Sequence, residues 1–187
     1  MEEIDVHDPD ILKTQQWLEE IIIGLNFCPF AKKEFVNDTI HYELCGAKKI
    51  ASALEALTKQ FDRLVQESHI ETTLLIFNEG FKGFESYLDL LDYANELLVD
   101  LGYEGKFQLA SFHPDYYFEG EAFDAASNYT NRSPLPTLHL IREASMEKVL
   151  SVYKNPEQIP ENNIELAEGK GADFFKKILT RIHQTNG

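Results

Sequence analysis

Asp8-Pro9 joins an N-cap acid to a proline at the first helical position, and Ile11, Leu18, Ile21, Ile22 and Leu25 follow as an apolar stripe. The pattern predicts a helix over residues 9–24. Residues 39–45 alternate and predict a short strand, and Ile50, Leu54, Leu57, Phe61 and Leu64 mark a second amphipathic helix. Residues 72–77 are strand-like throughout. Beyond the breakers Gly80 and Gly83 a third helix is predicted, with Leu88, Leu91, Ala94, Leu98 and Leu101 inward and Glu85, Asp89, Asp92, Glu96 and Asp100 toward water. Residues 106–112 predict a third strand. A long polar and aromatic loop then runs to Pro136, residues 137–141 predict a fourth strand, and a helix follows over 144–153. A proline-containing connection leads to a last helix over 173–183, with Phe174, Phe175, Ile178, Leu179 and Ile182 inward and Lys176, Lys177 and Arg181 outward.

This order implies two β-α-β crossovers and hence parallel pairing among the first three strands, with the fourth free to join in either direction. The expected fold class is α/β. It is a single-domain layered sandwich over residues 1–187, with a mixed four-stranded sheet and helices packed on it.

Charge and composition narrow the function. The 187 residues carry 17 Lys+Arg against 32 Asp+Glu, a net charge of −15. Such a chain repels DNA and anionic membranes at long range and carries no basic patch, so neither nucleic acid nor membrane is an expected partner. At 43% apolar and 12% aromatic it has the makings of a real core. No apolar run approaches the ~18 residues of a membrane span, and the first eight residues carry acids where a leader carries Lys or Arg, so a cytoplasmic location is expected. Cys28 and Cys45 are then expected as free thiols.

Candidate chemistry concentrates in the loop of residues 113–136, which begins at the carboxyl end of a strand, where open α/β sheets bind ligands. Its aromatics, Tyr116 among them, order it by burial. Asn78 and Glu79, at another strand end, are candidate neighbours. His113 is the general acid/base candidate, with Asp115 orienting or balancing it; the alternative is a histidine that hydrogen-bonds its own turn. Arg132, flanked by Asn131 and Ser133, offers a planar fork and short polar donors suited to a carboxylate or phosphate, or else it ties the loop to an acidic face. Strand parity puts His139 on the face with Thr137 and Ile141, within reach of His113 if their strands are neighbours. Two histidines with Asp115 or Glu79 would suit a divalent metal, but no compact ligand motif is present and no metal or other cofactor is assigned. Arg142 is a further binding candidate, or with Glu143 a surface pair or cap contact just before the helix. Cys28 is a conditional nucleophile or a buried small hydrophobe.

The segments Gly24-Leu-Asn-Phe-Cys-Pro-Phe-Ala31, Ala110-Ser-Phe-His-Pro-Asp-Tyr116, Asn128-Tyr-Thr-Asn-Arg-Ser-Pro134 and Leu138-His-Leu-Ile-Arg-Glu143, with the strand Thr72-Thr-Leu-Leu-Ile76, resemble an uncharacterised bacterial family, the domain of unknown function numbered 1415. The resemblance implies a bacterial, soluble, single-domain protein and assigns no role to any motif. Phe27 and Tyr117 stand where that family has Leu and Gln, which bears on ligand shape. Three readings follow. The first is an enzyme acting on a small anionic metabolite, with Arg132 holding the anion and His113 moving a proton. The second is a non-catalytic metabolite sensor or protein-binding module. The third is a thioredoxin-like thiol protein using Cys28, suggested by Cys28-Pro-Phe30 and by Leu135-Pro-Thr-Leu138, which reads like a cis-proline strand. Oligomeric state is left open.

Overall fold

The computed structural model describes residues 7–185, so the first six residues of the acidic opening lie outside the described residues. Helix α1 (Pro9–Trp17) starts where the capping pattern places it: the Asp8 carboxylate accepts from the Asp10 N–H at 2.8 Å with Pro9 in the first turn. The helix runs on as a π-helical segment, Leu18–Ile23, whose wider turn keeps Leu18, Ile21 and Ile22 buried beside Trp17. Gly24 ends it at close quarters, since a Cβ there would stand 2.4 Å from the Glu20 carbonyl oxygen. Then come α2 (Ala31–Val36), β1 (Ile40–Cys45), α3 (Ile50–Gln66), β2 (Thr72–Phe77), α4 (Phe84–Asp100) and β3 (Phe107–Phe112). A 3₁₀ turn (Ala126–Thr130) inside the long loop precedes β4 (Thr137–Arg142), α5 (Glu143–Leu150), a second 3₁₀ turn (Pro156–Gln158), α6 (Ile159–Lys170) and α7 (Ala172–Thr185).

The strands form one mixed sheet in the order β1-β2-β4-β3. The expected α/β layered architecture is therefore present, with one correction to the pairing. β1 and β2 pair in parallel, but β4 lies between β2 and β3 and runs antiparallel to both. β3 is co-directed with β1 and β2 without touching β2. The long loop makes this possible: it returns the chain from the carboxyl end of β3 so that β4 enters the sheet running backwards. β2 is buried along its whole length, as expected of an interior strand covered on both faces.

Each sheet face carries its own core. On one side Leu75, Phe77, Leu138 and Leu140 meet α3 and α4 through Leu57, Phe61, Leu90 and Ala94. On the other, Leu74 and Ile76 meet Trp17, Ile21, Phe175 and Ile182 from the terminal helices. α4 is rotated slightly from its predicted phase: Tyr87, Leu90, Ala94 and Leu98 are buried while Leu101 is 39% exposed. The Tyr87 hydroxyl sets this phase by donating to the Thr137 carbonyl (2.7 Å) and accepting from the Phe112 N–H (3.1 Å). Helices α2 and α6 have no counterpart in the pattern-based expectation. α2 is under two turns, and α6 buries Ala167 alone, so neither writes an apolar stripe. Among the described residues no helix is long and apolar enough to cross a membrane.

Candidate functional site

The loop of residues 113–136 is held by the polar groups that made it a candidate. His113 is fully buried. Its Nδ1 accepts from the Asp115 N–H at 3.0 Å, so Nε2 carries the proton and donates to the Phe81 carbonyl, also at 3.0 Å. Both nitrogens are engaged, and burial, the largest influence, lowers the imidazole below its ordinary range. The ring packs against Phe84 and Tyr87, on the α4 side of the sheet. The Asp115 side chain is exposed.

Arg132 is 5% exposed. Its Nε donates to the Tyr116 carbonyl (2.9 Å) and Nη2 to the Phe123 carbonyl (2.6 Å), while the guanidinium lies 4.6 Å from the Phe123 ring and 4.7 Å from that of Tyr129. No carboxylate of the described residues forms an ion pair with it. The Arg132 carbonyl accepts from Trp17 Nε1 at 2.9 Å, joining the loop to α1. Ser133 Oγ donates to the Leu135 carbonyl (2.6 Å), and the Tyr116 ring packs between Phe84 and Phe118. Arg142 closes the end of α3, donating to the carbonyls of Leu64 and Ile70. His113 hydrogen-bonds its own turn, the alternative given for it, whereas Arg132 holds the loop through backbone carbonyls and not through an acidic face, and Arg142 caps the end of α3 and not the helix that follows it.

The carboxyl ends of β1 and β2 are likewise closed. Glu79 pairs with Lys48 at 2.6 Å, and that hydrogen bond lowers its carboxyl below the usual range. Gly80 packs so tightly that a Cβ would stand 2.0 Å from the Ala47 carbonyl oxygen. Asn78 Oδ1 is buried without a partner.

The cavity of note lies elsewhere, on the sheet face opposite His113, over the amino-terminal halves of β1, β2 and β3, with a volume of about 400 Å³. Its floor is Ile40, Thr72, Leu74, Ala110, His139 and Ile141, with Gln108 at the side. Trp17, Leu18 and Ile22 form one wall and Phe27, Cys28, Phe30 and Ala31 a second. Phe112, Phe118 and Asn131 close the loop side, and Ile159, Pro160, Asn163 and Ile164 of α6 roof it. None of the described lining residues is charged. The space exists because α6 packs chiefly on the 3₁₀ turn of the long loop and not on the sheet, while Ala110 and Thr72 leave the floor low.

Of the residues singled out from sequence, the cavity brings together Cys28, Asn131 and His139. His113, Asp115, Tyr116, Arg132, Ser133 and Arg142 stay outside it. His113, just past the end of β3, and His139, on the neighbouring β4, turn to opposite faces of the sheet, so they do not converge, and among the described residues no three His, Cys, Asp or Glu side chains form a metal-binding group. Cys28 lies between a helix and α2, not after a strand, and among the described residues no peptide bond is cis. Burial raises its thiol, outweighing the Phe30 and Ala31 N–H groups.

His139 is the chemically distinctive group. Its Nε2 stands 2.6 Å from Thr72 Oγ1, whose own proton goes to the Leu140 carbonyl, again at 2.6 Å. Thr72 and the α6 roof were not singled out from the sequence. Thr72 carried a faint signal, the first of two threonines heading an otherwise apolar strand; α6 carried none.

The profile of the family described as Protein of unknown function (DUF1415) matches residues 10–177, nearly the whole length of the chain. No curated protein and no solved structure matches it. With motifs and match in agreement over both cores and the cavity, the chain belongs to this family of unknown function.

Proposed function

We propose that this protein binds a small, predominantly apolar organic molecule in the cavity between the sheet and the helices α1 and α6. The observation that carries the reading is the cavity itself: about 400 Å³, walled by aromatic and aliphatic side chains, with a few polar groups set among them. An apolar cavity of ~150 Å³ already holds benzene, so this one has room for two or three rings. The sequence-level expectation of an anion held by Arg132 loses its support, because those nitrogens already serve backbone carbonyls and no cation lines the cavity. Site and loop are still connected: Asn131 lines the cavity while its Nδ2 donates to the Ser111 carbonyl at 3.0 Å. Should the protein be an enzyme, Cys28 and His139 are the lining side chains with proton-transfer chemistry, and the reaction belongs in this cavity.

The chain has a single tryptophan, and Trp17 lines the cavity, so its indole N–H resonance is a built-in reporter. Titration with 2-methoxynaphthalene is expected to shift that resonance and raise Tm in wild type. Ala110→Phe, which fills the floor, is expected to abolish both effects while the protein stays folded. Unchanged binding in Ala110→Phe, or no response to any neutral aromatic in wild type, overturns the reading.

A further inference from the structure

Resting on that reading, we propose the class of ligand: an uncharged aromatic molecule that donates one O–H or N–H hydrogen bond to Nδ1 of His139. The argument is one of proton counting. Thr72 has one hydroxyl proton, and at 2.6 Å the Leu140 carbonyl can only accept it. The remaining close contact of Thr72 Oγ1, with His139 Nε2 at 2.6 Å, is then an N–H donation from the ring. The tautomer is fixed by this chain, Nε2–H to Thr72 Oγ1–H to the Leu140 carbonyl, and the proton is absent from Nδ1. No described residue donates to Nδ1, although the ring lines the cavity. The half-buried side chain therefore offers an acceptor lone pair that no described residue takes up, beside apolar walls against which a ligand's donor could reach it.

The other polar groups point the same way. The Asn163 amide nitrogen gives one N–H to the Phe27 carbonyl at 2.7 Å, and its carbonyl oxygen accepts from no side chain among the described residues. The Asn131 amide nitrogen gives one of its two N–H groups to the Ser111 carbonyl, and the Thr130 hydroxyl is occupied by the Ser127 carbonyl at 2.9 Å. The uncommitted donors of the wall are neutral amide N–H groups, of Gln108 and the two asparagines, and with no cation among them nothing there neutralises an anion. A neutral donor on a flat ring meets a partner, with Trp17, Phe27, Phe30 and Phe112 against its faces. Burial pulls the His139 imidazole down to about 4, so it stays an acceptor at neutral pH.

Three probes of one ring size separate the outcomes: 2-naphthol, 2-methoxynaphthalene and 2-naphthoate, titrated calorimetrically into wild type, His139→Leu and Thr72→Val. The hydroxyl compound is expected to bind about tenfold more tightly than the methyl ether in wild type, one hydrogen bond's worth. That preference is expected to vanish in His139→Leu and to fall in Thr72→Val, where the ring remains but its tautomer is released. Imidazole ¹⁵N spectra of the wild type need no variant: the proton is expected on Nε2, and 2-naphthol is expected to move the Nδ1 resonance. Equal binding of hydroxyl and ether, tightest binding of the carboxylate, or a proton on Nδ1 overturns the ligand class while leaving the cavity reading standing. Binding of none of the three overturns the cavity reading itself.

Discussion

His139 is held neutral because its place on β4, between β2 and β3 and under the cavity walls, strips away much of the water that would solvate an imidazolium; its folded value is about 4 against the ordinary 6.5. The unfolded chain therefore takes up this proton first as pH falls. Stability from this group is complete above about pH 6.5, declines between there and about 4, and changes no further below, for a total of about 3 kcal/mol. His113 is lowered by burial too and acts in the same direction. Urea titrations at neutral and at mildly acidic pH are expected to show the loss in wild type and a smaller loss in His139→Gln. An equal acid sensitivity in both proteins would place the effect elsewhere. The parity of the fourth strand already set His139 beside Thr137 and Ile141. What parity left open was the neighbour across the sheet, since Thr72 comes from a strand some seventy residues earlier.

At the scale of elements, the loop of residues 113–136 is ordered by Arg132, which binds two of its carbonyls and lies between two of its aromatic rings. Lysine keeps the charge but loses the planar fork and the stacked face. Arg132→Lys is expected to cost about 2–3 kcal/mol in urea denaturation, from charged hydrogen bonds and cation–π contact together. The affinity for 2-naphthol is expected to stay within about twofold, because Arg132 lies outside the cavity lining. A large loss of binding without loss of stability would return the arginine to the ligand site. The residue types of the loop were legible as a cluster, but an arginine that holds a ligand and one that holds its own backbone look alike in sequence. The π-helical segment was equally hidden. Its stripe of Leu18, Ile21 and Ile22 fits an ordinary helix, and only the backbone hydrogen bonds, such as Gly24 N–H to the Glu19 carbonyl at 2.9 Å, show the wider turn.

Across the whole molecule the excess of acid is the dominant electrostatic fact. At a net charge of −15, self-repulsion opposes the compact state, and the carboxylates of α4, exposed along its outer face, carry part of it. Screening shortens the reach of these charges from about 30 Å at 0.01 M salt to about 8 Å at 0.15 M. Calorimetry over that range is expected to show Tm rising by about 2–4 °C, the equivalent of roughly 1 kcal/mol for a domain of this size. A fall would mean that local pairs such as Arg63–Glu43 and Lys48–Glu79 outweigh the net repulsion.

The amino-acid sequence alone determined the elements with strong periodicity, the strand of residues 72–77, the capped start of α1 and the face on which His139 stands, because those follow from periods of 3.6 and 2.0, from strand-forming composition and from local capping chemistry. Only the tertiary structure decided the insertion of β4 between β2 and β3, the turning inward of His113 and Arg132, and the existence of the cavity. Each of these depends on what stands across a gap from a residue: a carbonyl that takes up a guanidinium, a threonine that fixes a tautomer, or a roof helix that rests on a neighbouring turn and leaves the sheet uncovered. Such pairings join residues far apart in the chain, and no local pattern records them.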